Sequence, residues 1–134
     1  MKKRGFGQGK WNGVGGKKEL NETITQTAIR ETQEEILVKP TSIIHQATIY
    51  FYLPHDPSHN QKTSIFIIDQ WEGTPAETEE MNPKWFHQSK IPYESMWSDD
   101  YLWLPKILNK QNFTAEFLFD ETNQIIDHTI QDNF

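Results

Sequence analysis

The stretch from Gly16 to Val38, GKKELNETITQTAIRETQEEILV, constrains this chain more than any other. Thr23 is a good helix N-cap, and Gln26 at the third helical position completes a capping box, so the sequence predicts a helix from Thr23 to about Leu37. Ile24, Ala28, Thr32 and Ile36 recur every four residues and make one face of it. Pro40 follows its end. Glu31, Glu34 and Glu35 are offset by three and four and fall together on one helical face. Like charges so placed destabilise an isolated helix by about a few tenths of a kcal/mol per pair. A hard divalent cation with oxygen ligands would remove that repulsion. An acidic stripe turned to solvent is the plainer alternative, and the three glutamates alone leave both open.

Around this helix the pattern is that of one α/β domain. Lys10 to Gly16 reads as a short strand entering a glycine-rich turn. Ile43 to Leu53 and Ser64 to Trp71 read as strands, separated by the polar turn His55 to Gln61. Trp85 to His87 is a candidate short strand. A second helix starts near Ser98 or Asp99 and runs to about Lys110, with Pro105 as a kink or an early end. Phe113 to Phe119 and Ile125 to Thr129 form a closing hairpin around Asp120 to Asn123. The sum is a mixed sheet with two helices.

Charge and composition narrow the function. The net charge of −6 argues against a protein that binds nucleic-acid polymers through phosphate contacts. The six basic residues of the first 18 (Lys2, Lys3, Arg4, Lys10, Lys17, Lys18) precede every one of the 19 acidic residues. That is either a landing area for a polyphosphate or a solvated basic terminus. With no cysteine there is no disulfide, thiolate metal site or cysteine nucleophile. No apolar run reaches membrane length and no leader pattern opens the chain, so the expected location is the cytoplasm. His55 and His59 lie in a polar turn and are expected to be solvated.

The segment from Gly16 to Val38 resembles the Nudix box, Gly-x5-Glu-x7-Arg-Glu-U-x-Glu-Glu-x-Gly-U, where U is a bulky aliphatic. Gly16, Glu22, Arg30, Glu31, Glu34, Glu35 and Val38 fall on it. Thr32 stands where the family has an aliphatic, and Leu37 where it has glycine. A non-glycine residue takes a left-handed cap at a cost of about 1–2 kcal/mol, so the helix is expected to end differently, just beyond Glu35. The resemblance extends along nearly the whole chain to the branch of MutT-related 8-oxo-dGTP diphosphatases, or oxidised purine nucleoside triphosphatases. It is carried by KKRGFGQGKWNGVGGK (Lys2 to Lys17), EGTP (Glu72 to Pro75), EEMNPKWF (Glu79 to Phe86) and MWSDDYLW (Met96 to Trp103).

What the resemblance implies can be set out residue by residue. The fold is a Nudix fold, a mixed β-sheet sandwiched between helices (α/β/α). Residues 1–134 make a single domain; in this branch a strand and a half precede the position of Met1, so either the sequence is truncated or renumbered there or the fold has lost an N-terminal strand. Glu31, Glu34 and Glu35 are the implied magnesium ligands, with manganese as a substitute, and Glu35 handles the attacking water. Arg30 orients carboxylates, including Glu22. A backbone carbonyl of Gly15 or Gly16 joins the metal shell. Glu80 is a further metal ligand or an alternative base. Asn12 is a base contact, Lys2 lies near the sugar or phosphates, and Phe6, Phe51 and Met81 are apolar walls.

Trp97, Asp99 and Asp100 also have a reading of their own. An aromatic plane beside two carboxyls can stack a base and bind its edge, and close carboxyls in a dry pocket push one pKa upward. A protonated member can donate where its partner accepts, which suits both oxidised guanine and oxidised adenine. The bland reading is a helix-capping Asp beside a core Trp. The expected activity is hydrolysis of oxidised purine nucleoside triphosphates to monophosphate and diphosphate, a nucleotide-pool sanitation that serves DNA repair, by a monomer with no membrane partner. The alternatives are a Nudix hydrolase of another nucleoside diphosphate-linked substrate and a non-catalytic nucleotide-binding module.

Overall fold

The computed structural model describes residues 1–133. Its elements run α1 (Ile24–Ile36), β1 (Lys39–Tyr52), β2 (Gln61–Glu72), α2 (Asp100–Leu108), β3 (Phe113–Phe119) and β4 (Ile125–Asp132). The strands form one four-stranded sheet in the order β2-β1-β3-β4. β1 runs parallel to β3, with Ile49 opposite Ala115 and Phe51 opposite Phe117, and β3 runs antiparallel to β4. This is the mixed-sheet, two-helix α/β architecture expected from the sequence. Among the described residues no helix is long and apolar enough to cross a membrane.

The chain divides into two compact units, one made of Met1–Ile44 with Ile68–Met96, the other of His45–Ile67 with the chain from Trp97 onward. The second holds an apolar core. In β3 the alternate residues Phe113, Ala115, Phe117 and Phe119 are buried, the two-residue period of a strand with one face inward. Ala47, Ile49, Leu53 and Ile107 complete the cluster. Each large side chain so buried contributes about 1.5–3 kcal/mol.

The first unit is held differently. Thr23 caps α1 as expected: its hydroxyl accepts from the Gln26 amide at 3.1 Å, and the Gln26 side chain accepts from the Thr23 amide at 2.8 Å. The buried positions of α1 are Thr27, Thr32 and Glu35; of the face expected to pack, Thr32 is buried, Ala28 and Ile36 are half-buried and Ile24 is exposed, so that face turns inward except at its first residue. The polar atoms there are mostly satisfied. Thr32 donates to the Ala28 carbonyl at 2.7 Å and Thr27 to Glu22 at 2.7 Å. The helix ends just beyond Glu35, as expected, but its cap is not an altered one. It runs to Ile36, and Leu37 takes the left-handed conformation (φ 62°, ψ 30°) that a glycine would take without strain.

The surroundings of that helix end explain how Leu37 is held there. An α-helix leaves its last four carbonyls without intrahelical donors. Here Ile36 accepts from the Ala76 amide at 3.0 Å and Glu35 from the Thr78 hydroxyl at 2.7 Å. Gly73 (φ +94°) passes close over the same turn, where a Cβ would sit 3.0 Å from the Leu37 carbonyl.

Two predicted strands are absent. Residues 11–16 form no ladder: the Trp11 amide bonds singly to the Ser95 carbonyl, and the Asn12 side chain takes the Gly13 amide. Trp85 to His87 is not a strand either. The His87 ring caps a short 3-10 turn at Gln88–Lys90, and Trp85 packs on Trp71 with ring centroids 5.8 Å apart. β1 and β2 begin earlier than the alternation indicated, and α2 is shorter, ending at Leu108.

Candidate active site

The acidic face of α1 has three different environments rather than one. Glu34 is exposed, Glu31 is largely covered, and Glu35 is buried at 4% exposure. Arg30 organises the first two. Its guanidinium grips Glu22 bidentately, Nε to Oε2 at 2.8 Å and Nη2 to Oε1 at 3.0 Å. Its Nη1 donates to Glu31 at 2.8 Å and Glu34 at 3.2 Å, and Nη2 reaches the Lys17 carbonyl at 3.1 Å. The fork geometry of guanidinium is suited to such multiple carboxylate contacts. Hydrogen bonding from Arg30, then from the Glu19 backbone and Thr27, holds the Glu22 carboxyl down at about 2. Glu31 lies directly over Gly16, where a Cβ would run into its carboxyl group.

Glu35 is pushed the other way, up to about 7. Burial is the largest cause, the positive charge of Lys2 opposes it, and the negative charge of Glu31 adds to it. The Gly15 backbone bonds to the carboxylate and Glu80 adds a further negative field. Glu35 Oε2 has no hydrogen-bond partner. A buried carboxylate oxygen without a partner is costly and calls for an explanation. Glu80 is pinned by Arg4, whose Nε donates to Oε1 at 2.9 Å and whose Nη2 also contacts that oxygen. Glu80 is consequently held below the usual carboxylate range. Lys2 bridges to Met81, which is buried at 2% exposure, and Phe6 sits exposed in the preceding loop. Asn12 is exposed as well.

In the second unit, Asp99 and Asp100 are both buried, at 1% and 4% exposure. Asp99 precedes α2 but makes no side-chain capping bond. One of its oxygens accepts from the Trp103 indole N–H at 2.6 Å, and the other has no partner. The helix-cap account of Asp99 therefore fails, and burial raises its pKa. Trp97 packs edge-on against Phe119, and Phe51 stacks with Phe117 at 6.0 Å. His59 pairs with Asp56 at 2.6 Å in its polar turn and joins neither group.

Three residues of this arrangement escaped the sequence reading. Arg4 had counted only as part of a basic terminus, and Thr78 carries no local signal. Trp103 lies four residues after Asp99 on a helix, a spacing at which side chains meet, so it was open to discovery.

The carboxylates fit a divalent cation that takes only part of its shell from protein. Glu35 keeps a free, buried oxygen, and Glu31 sits on a glycine that leaves it room. Among the described residues no three His, Asp or Glu side chains are placed to hold a metal ion by themselves, so Glu31, Glu34 and Glu35 are not gathered round one point. That suits magnesium, which binds through one or two carboxylates together with substrate phosphates.

Comparison with known proteins agrees with this geometry. The NUDIX domain family model matches residues 1–107. The oxidized purine nucleoside triphosphate hydrolase of Danio rerio is 42% identical over 132 residues, covering 98% of this chain and 84% of that protein. The Mus musculus protein of the same name is 39% identical over the same shares. An 8-oxo-dGTP diphosphatase of Proteus vulgaris is 37% identical over 70 residues, 52% of this chain and 59% of its own length. The solved structure of a MutT protein from Bacillus halodurans superposes with a TM-score of 0.83 at 17% identity, over 92% of this chain and 83% of that one, a likeness of fold. With a glutamate helix built on Gly16, Glu22 and Arg30, and relatives matched along nearly its whole length, the chain belongs to the Nudix family.

Proposed function

We propose that this chain hydrolyses oxidised purine nucleoside triphosphates, 8-oxo-dGTP among them, to the monophosphate and diphosphate. The observation that carries the reading is Glu35: a buried carboxylate with a free oxygen, on a helix face shared with Glu31 and Glu34. Glu31, Glu34 and Glu35 would hold magnesium, with Gly15 or Gly16 contributing a carbonyl and Glu80 a further oxygen. Bound there, the cation supplies positive charge to the polyphosphate and lowers the pKa of a coordinated water.

The chain's own residues do the rest. Glu35 takes a proton from the attacking water as its oxygen bonds to phosphorus, and the bridging P–O bond breaks toward the diphosphate. Arg30, fixed by Glu22, keeps Glu31 and Glu34 in place. Lys2 places a positive charge near Glu35 and Glu80. Asp99 and Asp100 read the base edge, a neutral acid donating and an ionised one accepting. Trp97 offers its face to the purine, and Asn12, Phe6, Phe51 and Met81 complete the contacts. Guanine oxidised at C8 carries an N7–H that a carboxylate accepts, and normal guanine does not. In this reading the enzyme is a cytoplasmic monomer that acts on the free nucleotide pool and so spares DNA from oxidised bases. The identity to the Danio rerio and Mus musculus hydrolases supports this choice of substrate.

The test is a panel of normal and oxidised nucleoside triphosphates incubated with magnesium, with the released phosphate species identified. Diphosphate release that is faster from oxidised purines is the expected result. Equal rates on all nucleotides would leave a Nudix hydrolase of other specificity, and no hydrolysis would leave a nucleotide-binding module.

A further inference from the structure

Thr78 lies 43 residues from Glu35 in the chain, yet its hydroxyl ties the backbone of Glu35 to that of Glu80. It donates to the Glu35 carbonyl at 2.7 Å and accepts from the Glu80 amide at 3.2 Å. A hydroxyl has one proton and two lone pairs, so it can serve both partners at once, whereas an apolar side chain of the same shape serves neither. The segment that carries Thr78 is itself tied down. Its amide bonds to the Met81 carbonyl at 3.0 Å, its carbonyl accepts from Lys3 Nζ at 2.9 Å, and the nearby Ala76 amide caps Ile36. Glu80 reaches Arg4 from the other side.

We infer that Thr78 is a positioning residue: its hydroxyl sets the backbone spacing between the end of α1, which bears Glu35, and the loop that bears Glu80. Thr78 touches no reacting atom in this account. It acts by fixing where two carboxylates start, and displacement of a working group by about 1 Å costs up to about a hundredfold in rate. The inference rests on the proposed roles of Glu35 and Glu80.

The test compares Thr78→Val, which keeps the shape and loses the hydroxyl, with Thr78→Ser, which keeps it. For Thr78→Val we expect the Glu80 amide to exchange its hydrogen about tenfold faster while amides of β3 are unchanged. We expect kcat on 8-oxo-dGTP to fall about tenfold with KM within about twofold, and Mn²⁺ binding to the substrate-free protein, followed by water-proton relaxation, to weaken about fivefold. Thr78→Ser should restore all three. Unchanged Mn²⁺ affinity and kcat in Thr78→Val despite faster Glu80 exchange would overturn the inference, as would equal losses in both variants. Should the wild type hydrolyse no nucleotide in the panel, the proposed function falls by itself. The Mn²⁺ titration and the exchange measurement then still decide on Thr78.

Discussion

The two units spend their interiors on different things. In the second, the space inside is filled by Phe113, Phe117, Ile49 and their neighbours, and what matters there is volume and contact. In the first, the buried face of α1 is Thr27, Thr32 and Glu35, and what matters is where each proton and lone pair points. Apolar packing falls off gradually as atoms are removed. A directional network fails abruptly, because a lost partner leaves a buried polar group unsatisfied at about 1–3 kcal/mol. The unit that carries the acidic helix is thus the one in which single-atom changes should be felt in chemistry, and the sheet unit the one in which they should be felt in stability.

Glu35→Gln puts that contrast to its strongest test. It keeps the size and removes the charge, and it should lower diphosphate release by about a hundredfold to ten thousandfold. The metal-free variant should melt no lower than the wild type, because a buried charge has gone. A loss of a few-fold in a folded protein would break the comparison. Phe117→Ala should do the reverse, costing about 3–5 kcal/mol in urea unfolding while each folded molecule retains its catalytic rate. A variant that stays stable but inactive would show that the sheet core does more than hold shape.

Asp99→Asn probes the polar group inside the apolar unit. Asn keeps an oxygen to accept from the Trp103 indole and there is no capping bond to lose, so the melting temperature should change little, while kcat/KM for 8-oxo-dGTP falls by about 1–3 kcal/mol and the preference over dGTP shrinks. Unchanged selectivity would remove the base-reading role. The smallest effect is acid sensitivity. Glu22, lowered to about 2 by Arg30, binds fewer protons in the folded chain than its ordinary value of 4.5 would give. Its contribution to stability is complete above the ordinary value and is lost as pH falls from there toward 2. Hydrogen exchange at low pH should therefore loosen amides around Glu22 and Arg30 before those of β3, and simultaneous loosening would show the two units to be equally sensitive.

How much of this was legible follows the range of the interaction. The start of α1 was written in Thr23 and Gln26, three residues apart, and the strands β3 and β4 in their alternation. Arg30 and Glu22 were legible through the spacing of the box. The strand expected at Lys10 to Gly16 failed because Asn12 satisfies a backbone amide locally, and that expected at Trp85 to His87 because a histidine ring caps a turn instead. The altered cap expected at Leu37 failed because the supports of that helix end, Gly73, Ala76 and Thr78, lie more than thirty residues on. The Arg4 contact to Glu80 spans 76 positions, and nothing near Arg4 announces it.

That remote support of the α1 terminus has a consequence for the order in which the molecule is made. On the ribosome the chain emerges at about 5–20 residues per second, and partners far apart in sequence must wait for the later one. Helix α1 can start as soon as Thr23 and Gln26 are free, but its last turn stays frayed until the stretch around Thr78 has followed it out. A nascent chain arrested before that stretch should protect the amides of the first turns of α1 and not those beside Glu35. The acidic site would then be among the later features of the first unit to take its final form.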